Sequence, residues 1–414
     1  MRNILFICGL TICATLITSC SKDDDNTKGE SKRLINLIPE KNPITLTDTE
    51  KAYVKSCNEF AFNFFRQTNE TEESYIMSPI SMAFALGMLQ HGAEGETEKE
   101  IKNNIGFKDA DKNAISKFFA NLIENVPKVD SNVQINIANA LFVNKDINML
   151  TQYEKDMKDY YQATTKTLDF SNQSAVNEIN KWCERQTDGN ISEILEETNP
   201  GMNAYLLNAI SFKAAWTNHF EEKYTWKASF TKEDGTSVSI PMMHRTANAN
   251  IFANDFCTTL CLPFSNGSFA IFVILPNNGV GTQEIMEKMN TTAFDEIKSQ
   301  MTQQQIELSI PRFSTTFEKD LTNSLIKMGM AKALSNEAEF PYITTDKMNI
   351  GKIKQKAIIE VDEHGTKTAA VTITEADGAV VYMPDVFHAN RPFVYIIQEL
   401  TSGAIFFIGT YMGD

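Results

Sequence analysis

Near Gly201 the spacing of apolar residues along this chain changes character, and that change limits the folds it can reach. Upstream the strongest patterns are helical; downstream they are mostly alternating or continuously apolar over strand lengths. Thr47-Asp48-Thr49-Glu50 is a capping-box signature, followed by Val54, Cys57, Ala61 and Phe64 at helical spacing. Ser78-Pro79 predicts another helix start, with serine as cap, proline in the first turn and Gly92 as the stop. Residues 177–185 read as helix, ending near Gly189, whereas Val133, Ile135 and Ile137 alternate and continue through Leu141 and Val143 as strand. Beyond Gly201, strands are expected over 204–212, 257–262, 269–275 and 306–310, interrupted by a short helix over 320–328. Apolar runs at 393–397 and 405–408 close the chain around Thr401-Ser402-Gly403. Helices first and strands later, without βαβ alternation, predict an α+β fold with large antiparallel sheets.

The 414 residues, 42% of them hydrophobic, suffice for one large mixed domain. A net charge of −15 argues against a general nucleic-acid binder, which needs a basic footprint, and gives no support to polyanion binding. The amino terminus reads separately. Arg2 precedes an apolar run over 4–17 that is too short to span a membrane as a helix. It ends in Ile17-Thr18-Ser19-Cys20, which resembles a bacterial lipobox with cleavage before Cys20 and a lipid on its thiol. Ser21-Lys22-Asp23-Asp24-Asp25 then looks like the export tag of some surface lipoproteins. An ordinary signal peptide followed by a solvated acidic linker is the alternative. The lipoprotein reading divides the chain into a signal at 1–19, a lipid-anchored tether at 20–45 and a folded domain at 46–414. It places the protein at the outer membrane, exposed at the cell surface.

Enzyme chemistry finds little purchase. None of the five histidines sits in H-x-x-x-H spacing, and no G-x-S-x-G elbow occurs. Gly279-Val280-Gly281 lacks the third glycine and the strand-to-helix setting of a nucleotide fingerprint. Cys57, Cys183, Cys257 and Cys261 are scattered, and without histidine partners they suggest neither zinc nor any other metal. On one strand Cys257 and Cys261 would stand about 13 Å apart, too far to bridge. Buried free thiols are expected.

A different feature stands out at 366–374, which reads Thr-Lys-Thr-Ala-Ala-Val-Thr-Ile-Thr. Taken as strand, it puts Thr366, Thr368, Ala370 and Thr372 on one face and Lys367, Ala369, Val371 and Ile373 on the other. One face is small enough for a crowded interior. Composition alone equally admits a plain edge strand and hairpin.

From about residue 45 onward, ordered motifs resemble the serpin family. They are Ser78-Pro79-Ile80-Ser81 through Met88-Leu89-Gln90-His91-Gly92-Ala93-Glu94-Gly95-Glu96-Thr97, Asn139-Ala140-Leu141-Phe142-Val143, and Asn208 with Phe212-Lys213 and Trp216. Pro241-Met242-Met243, Glu363-His364-Gly365-Thr366, Arg391-Pro392-Phe393 and Phe406-Phe407-Ile408-Gly409 complete the series. Each piece is modest; their order over this length is specific.

The resemblance implies three β-sheets, about eight to nine helices and an exposed reactive-centre loop, here about 363–390. It implies a monomeric suicide-substrate inhibitor of serine endopeptidases, with papain-like cysteine endopeptidases a second class, that needs no cofactor. The protease is held as a covalent acyl complex while the cleaved loop inserts into the main sheet. Serpin loop insertion is itself a standard example of strand addition and of the release of stored strain. The hinge would be Glu363, Gly365, Thr366, Thr368, Ala369, Ala370 and Thr372, whose inward side chains must be small and uncharged to enter. Each new ladder bond contributes about 1 kcal/mol net, so about a dozen favour insertion by of order 10 kcal/mol. The native form is then trapped kinetically.

Other positions carry over by motif. Arg312 and Glu363 match the charge pair at the breach, with Trp216 beneath it. Ser78, Ser81 and Asn208 match the polar shutter, where Gln355 replaces the family's usual histidine. Counting from Glu363 puts the reactive bond at Ala379-Val380; counting back from Pro392 puts it nearer Val381-Tyr382. Small aliphatic residues there suit elastase-like enzymes, cutting after Tyr382 or Met383 would suit chymotrypsin-like ones, and no Lys or Arg lies in 368–388 for trypsin. The rival reading is a non-inhibitory serpin acting as a surface carrier.

Overall fold

A computed structural model of the chain describes residues 42–69, 73–365 and 385–414. The first helix, α1 (Asp48–Thr68), starts from the expected box: Thr47 Oγ1 accepts from the Glu50 amide at 3.2 Å while Glu50 returns a carboxylate to the Thr47 amide at 2.8 Å. A short strand β1 (Tyr75–Met77) leads into α2 (Pro79–Gly92), capped by Ser78 as predicted. Every residue of α2 is buried. A helix apolar all round belongs in the middle of a core, and α2 lies there. Around it come α3 (Gly95–Asn104) and α4 (Lys112–Asn125), then β2 (Val133–Asn144), α5 (Thr151–Tyr161), β3 (Thr164–Leu168) and α6 (Gln173–Gln186).

The second half is mostly strands, as its periodicity predicts. In order they are β4 (Ala204–Ala214), β5 (Thr225–Thr231), β6 (Ser237–Ala253), β7 (Cys257–Phe264) and β8 (Phe269–Pro276). After α7 (Thr282–Lys288) and α8 (Thr291–Gln300) come β9 (Thr302–Pro311), β10 (Phe313–Asp320), α9 (Thr322–Lys327) and β11 (Lys352–Val361). Then follow β12 (Asp385–His388), β13 (Phe393–Glu399) and β14 (Ile405–Tyr411).

Pairing joins these into two hydrogen-bonded systems. One is five-stranded, in the order β10-β11-β4-β2-β3. The other is nine-stranded, β1-β14-β13-β8-β7-β6-β9-β12, with β5 added alongside β6. The 17-residue β6 makes it continuous: its start pairs with β5, its middle with β9 and its end with β7. Two layers that the resemblance counts as separate sheets are thereby joined through one strand. The sheets are also mixed rather than purely antiparallel, because β2/β3, β4/β11 and β9/β12 run parallel. Alternation reveals which face of a strand is buried, not the direction of its neighbour.

One face of the five-stranded sheet packs on the main core with α2; on the other, Ile179, Trp182 and Cys183 of α6 share a second apolar cluster with Phe142 of β2 and Tyr205, Leu207 and Ala209 of β4. Cys57, Cys183, Cys257 and Cys261 are free buried thiols. Burial pushes the Cys183 thiol up to about 12 and the Cys57 and Cys261 thiols higher still, so none of these three is a nucleophile near neutrality.

Candidate functional site: the seam between two parallel strands

Strands β4 and β11 lie side by side in the five-stranded sheet, parallel over eight residue pairs from Lys352↔Tyr205 to Ile359↔Phe212. At their middle Gln355 pairs with Asn208, and both side chains are fully buried. A buried amide must be satisfied, and the cap of α2 satisfies this one. Gln355 Oε1 accepts from the Ser78 amide at 3.0 Å, while Nε2 donates to the Ser78 carbonyl at 2.9 Å and to Asn208 Oδ1 at 2.7 Å. Asn208 Nδ2 donates in turn to Ser81 Oγ and, at 2.7 Å, to Asn139 Oδ1 of β2. The expected cluster of Ser78, Ser81, Asn208 and Gln355 is thus brought together, joining the helix to both strands of the seam. Asn139 belongs to it and was not anticipated; its place at the start of the Asn139-Ala140-Leu141 motif was the available signal.

Where β11 ends, residues 362–365 turn back on themselves. Asp362 and Gly365 exchange backbone hydrogen bonds of 2.8 and 3.1 Å, and Gly365 also bridges Ala215 just past the end of β4. Gly365 has φ +108°, and a Cβ there would lie 2.3 Å from the Ala214 carbonyl oxygen and 2.5 Å from the Trp216 nitrogen. Only glycine fits. All four carbonyls of the turn are taken. Trp216 Nε1 donates to Asp362 at 2.8 Å, the Phe220 amide to Glu363 at 2.9 Å, the Trp216 amide to His364 at 2.9 Å, and the Asp362 amide to Gly365. Trp216 is itself fixed by stacking on Phe264, with centroids 4.6 Å apart and planes 13° apart. Arg312 Nη1 meets Glu363 Oε1 at 3.4 Å, with the arginine half exposed and the glutamate 4% exposed. The breach trio of Trp216, Arg312 and Glu363 is therefore assembled around one turn.

Asp362 and Phe220 are the partners the sequence did not single out, because the carbonyl and the amide they contribute are backbone atoms that any residue carries. Burial raises the Asp362 carboxyl, against the His364 amide that donates to it. The cluster at the seam is built of amides and hydroxyls that tie α2 to β2, β4 and β11, a latch between helix and sheet. No group of three or more His, Cys, Asp or Glu among the described residues could hold a metal ion. The remaining hinge positions, Thr366, Thr368, Ala369, Ala370 and Thr372, lie outside the described residues. So do Ala379, Val380, Val381, Tyr382 and Cys20 with its signal and most of the tether.

Comparison with known proteins agrees with this architecture. The chain is 29% identical over 369 residues to an uncharacterised serpin-like protein of Thermococcus kodakarensis, covering 88% of this chain and 86% of that one. Human neuroserpin is 29% identical over 368 residues, covering 85% and 88%. The crystal structure of human thyroxine-binding globulin complexed with thyroxine superposes with a TM-score of 0.82 at 29% identity, covering 87% of this chain and 98% of that one. The family described as serpin, serine protease inhibitor, matches residues 55–413. With that span matched and the fold in agreement, the chain belongs to the serpin family, whose members are typically protease inhibitors and not enzymes.

Proposed function

We propose that this serpin is an inhibitor of the suicide-substrate kind, acting on serine endopeptidases of elastase-like preference. The carrying observation is the parallel β4/β11 pair with the chain turned back at its end. A strand running from Gly365 between these two would be antiparallel to both and could take ladder bonds from each side. The small residues Thr366, Thr368, Ala370 and Thr372 suit the face that would then turn inward. Cleavage belongs in 379–382, at Ala379-Val380 or Val381-Tyr382. The amino-terminal pattern supports anchoring through a lipid on Cys20 and display at the cell surface.

Incubation with pancreatic or neutrophil elastase should give a complex stable in SDS, and mass spectrometry of the released carboxy-terminal fragment should name the bond. Thr372→Arg, which puts a charge on the inward face, should turn the inhibitor into a substrate that is cut without complex. Clean cleavage of the unaltered chain, with no complex, would overturn the inhibitory reading. A second reading, a surface carrier, is favoured by the structural likeness to a serpin complexed with thyroxine. A carrier would be indifferent to Thr372→Arg and would not rise in melting temperature after loop cleavage.

A further inference from the structure

Asparagine precedes glycine twice in this chain, at Asn266-Gly267 and at Asn278-Gly279. In such a pair the glycine nitrogen can attack the asparagine side-chain carbonyl, because glycine carries no Cβ to shield it. In a folded chain the attack needs two freedoms. The amide side chain must be able to swing onto the nitrogen, and the nitrogen must not be engaged as a donor. The two pairs differ in both.

At the first pair the reacting atoms are tied down. Asn266 Nδ2 donates to the Val129 carbonyl at 3.0 Å, its Oδ1 accepts from the Ser268 amide at 2.8 Å, and its own amide donates to Asp130 at 2.9 Å. Gly267 is buried, and its N–H closes a turn on the Phe264 carbonyl at 2.7 Å. At the second pair only the ends are held. The Asn277 amide donates to the Phe256 carbonyl at 2.8 Å, its Nδ2 to the Asn254 carbonyl at 2.7 Å, and the Val280 amide closes the turn on the Asn277 carbonyl at 3.0 Å. Gly279 takes φ +85° at the position where a type II turn requires it. Asn278 and Gly279 are both exposed. Neither the Asn278 side chain nor the Gly279 N–H has a hydrogen-bond partner among the described residues. A Cβ at Gly279 would meet nothing within 4 Å, so its nitrogen is open to approach.

The turn borders an open cavity of about 750 Å³ that it shares with Lys232, Glu233 and Arg391. Glu233 is committed elsewhere, its Oε1 accepting from the Thr282 amide at 2.9 Å and the Thr282 hydroxyl at 2.7 Å. Arg391 donates through Nε and Nη2 to the Pro276 carbonyl, at 2.9 and 2.6 Å, just ahead of the turn. Two cations thus line this cavity with one carboxylate that already has partners, a setting that favours negative charge developing at Asn278.

We propose that Asn278 is a self-modification site, at which the chain converts a side-chain amide into a carboxylate, while the fold spares Asn266. The Gly279 nitrogen, its proton drawn off by base, bonds to Asn278 Cγ. The Cγ–Nδ2 bond breaks, and ammonia leaves carrying that proton. Water then opens the cyclic imide at one carbonyl or the other, leaving aspartate or isoaspartate at 278, with no change of oxidation state. The one added carboxylate takes the net charge from −15 to −16 and joins Lys232 and Arg391 in the cavity. The isoaspartate branch also lengthens the main chain by one carbon, beside the carbonyl that anchors Arg391 and with it the corner between β12 and β13.

Peptide mapping by mass spectrometry of the purified full chain, aged at mildly alkaline pH, tests this. A gain of about 1 Da should appear in the peptide holding 278. It should accumulate there at least about tenfold faster than in the peptide holding 266, where several bonds must open first. In urea, with both pairs unfolded, the two rates should converge. On anion exchange N278D should elute with the aspartate form of the aged chain, and N278Q should lose the new peak. Equal rates at the two sites in the folded chain, or faster reaction at 266, overturn the proposal. So does a folded chain silent at 278 under conditions where the chain in urea reacts at both. Rates that stay apart in urea overturn it too, since flanking residues and not the fold would then set the difference. No protease takes part, so the outcome is independent of the inhibitory reading.

Discussion

Strand β11 has eight paired residues on each side, and the two sides are built differently. Toward β10 the pairing is antiparallel, and Glu318 takes Lys354 at 2.6 Å and Lys356 at 2.5 Å across it. Toward β4 the pairing is parallel, and at its centre sits a buried amide latch that also holds the cap of α2. Burial opposes charge on Glu318, but hydrogen bonds from the two lysines outweigh it and hold the carboxyl below its ordinary range. The two sides of β11 are thus held by different means, charge pairs toward β10 and a neutral hydrogen-bonded cluster toward β4. Parallel pairing is slightly weaker per residue. The insertion proposed above would part this side, where a hydrogen-bonded latch of neutral groups, unlike a packed apolar seam, can exchange partners.

Three changes probe that contrast. The largest effect is expected from Gln355→Ala, which leaves buried groups on Ser78 and Asn208 without partners. Loss of about 1–3 kcal/mol for each unsatisfied group is expected, read by urea unfolding. An unchanged midpoint would mean that the latch does not hold the seam. Gly365→Ala comes next, because its Cβ meets backbone at 2.3 Å and its φ is strained for any other residue. A cost of about 1–3 kcal/mol is expected, with raised proteolytic sensitivity at 362–365 and little change at β10. Smallest is Glu318→Gln, worth about 0.5–1 kcal/mol at neutral pH because the pair is partly exposed. The sign follows from the lowered carboxyl: its contribution is present above the ordinary value of 4.5 and is lost as pH falls through the folded value. The stability gap between Glu318→Gln and the unaltered chain should therefore close in acid. A gap that widens in acid would show that the lysines are not holding a carboxylate.

Much of this fold was legible residue by residue. The caps at Thr47 and Ser78 gave the starts of α1 and α2 because a side-chain oxygen three residues from a free amide is a local fact. Other boundaries slipped in predictable ways. Helix α6 begins at Gln173 rather than 177, since its Asn172 cap precedes the apolar spacing, and β9 runs from Thr302 because its first residues are polar. Strands β10 and β11 went unread although Ile353, Gln355 and Ala357 alternate with lysines, because a buried glutamine breaks the apolar pattern just where the latch requires it.

Family motifs located Ser78, Ser81, Asn208, Trp216, Arg312, Gln355 and Glu363, and the structure brings them to two places on one seam. They gave Asn139 no place in the latch and did not point to Asp362.

By itself the sequence determined the alternation of helix and strand, the apolar setting of the thiols, and the run of small residues over 366–372, since periodicity and side-chain size are properties of the chain. Only the tertiary structure decided that β4 and β11 run parallel, that β6 joins two layers, and that Asn139 meets Asn208 in the latch. The reason is physical. A residue's face follows from its immediate neighbours, but its partner is set by which distant segment completes the hydrogen bonds left open beside it.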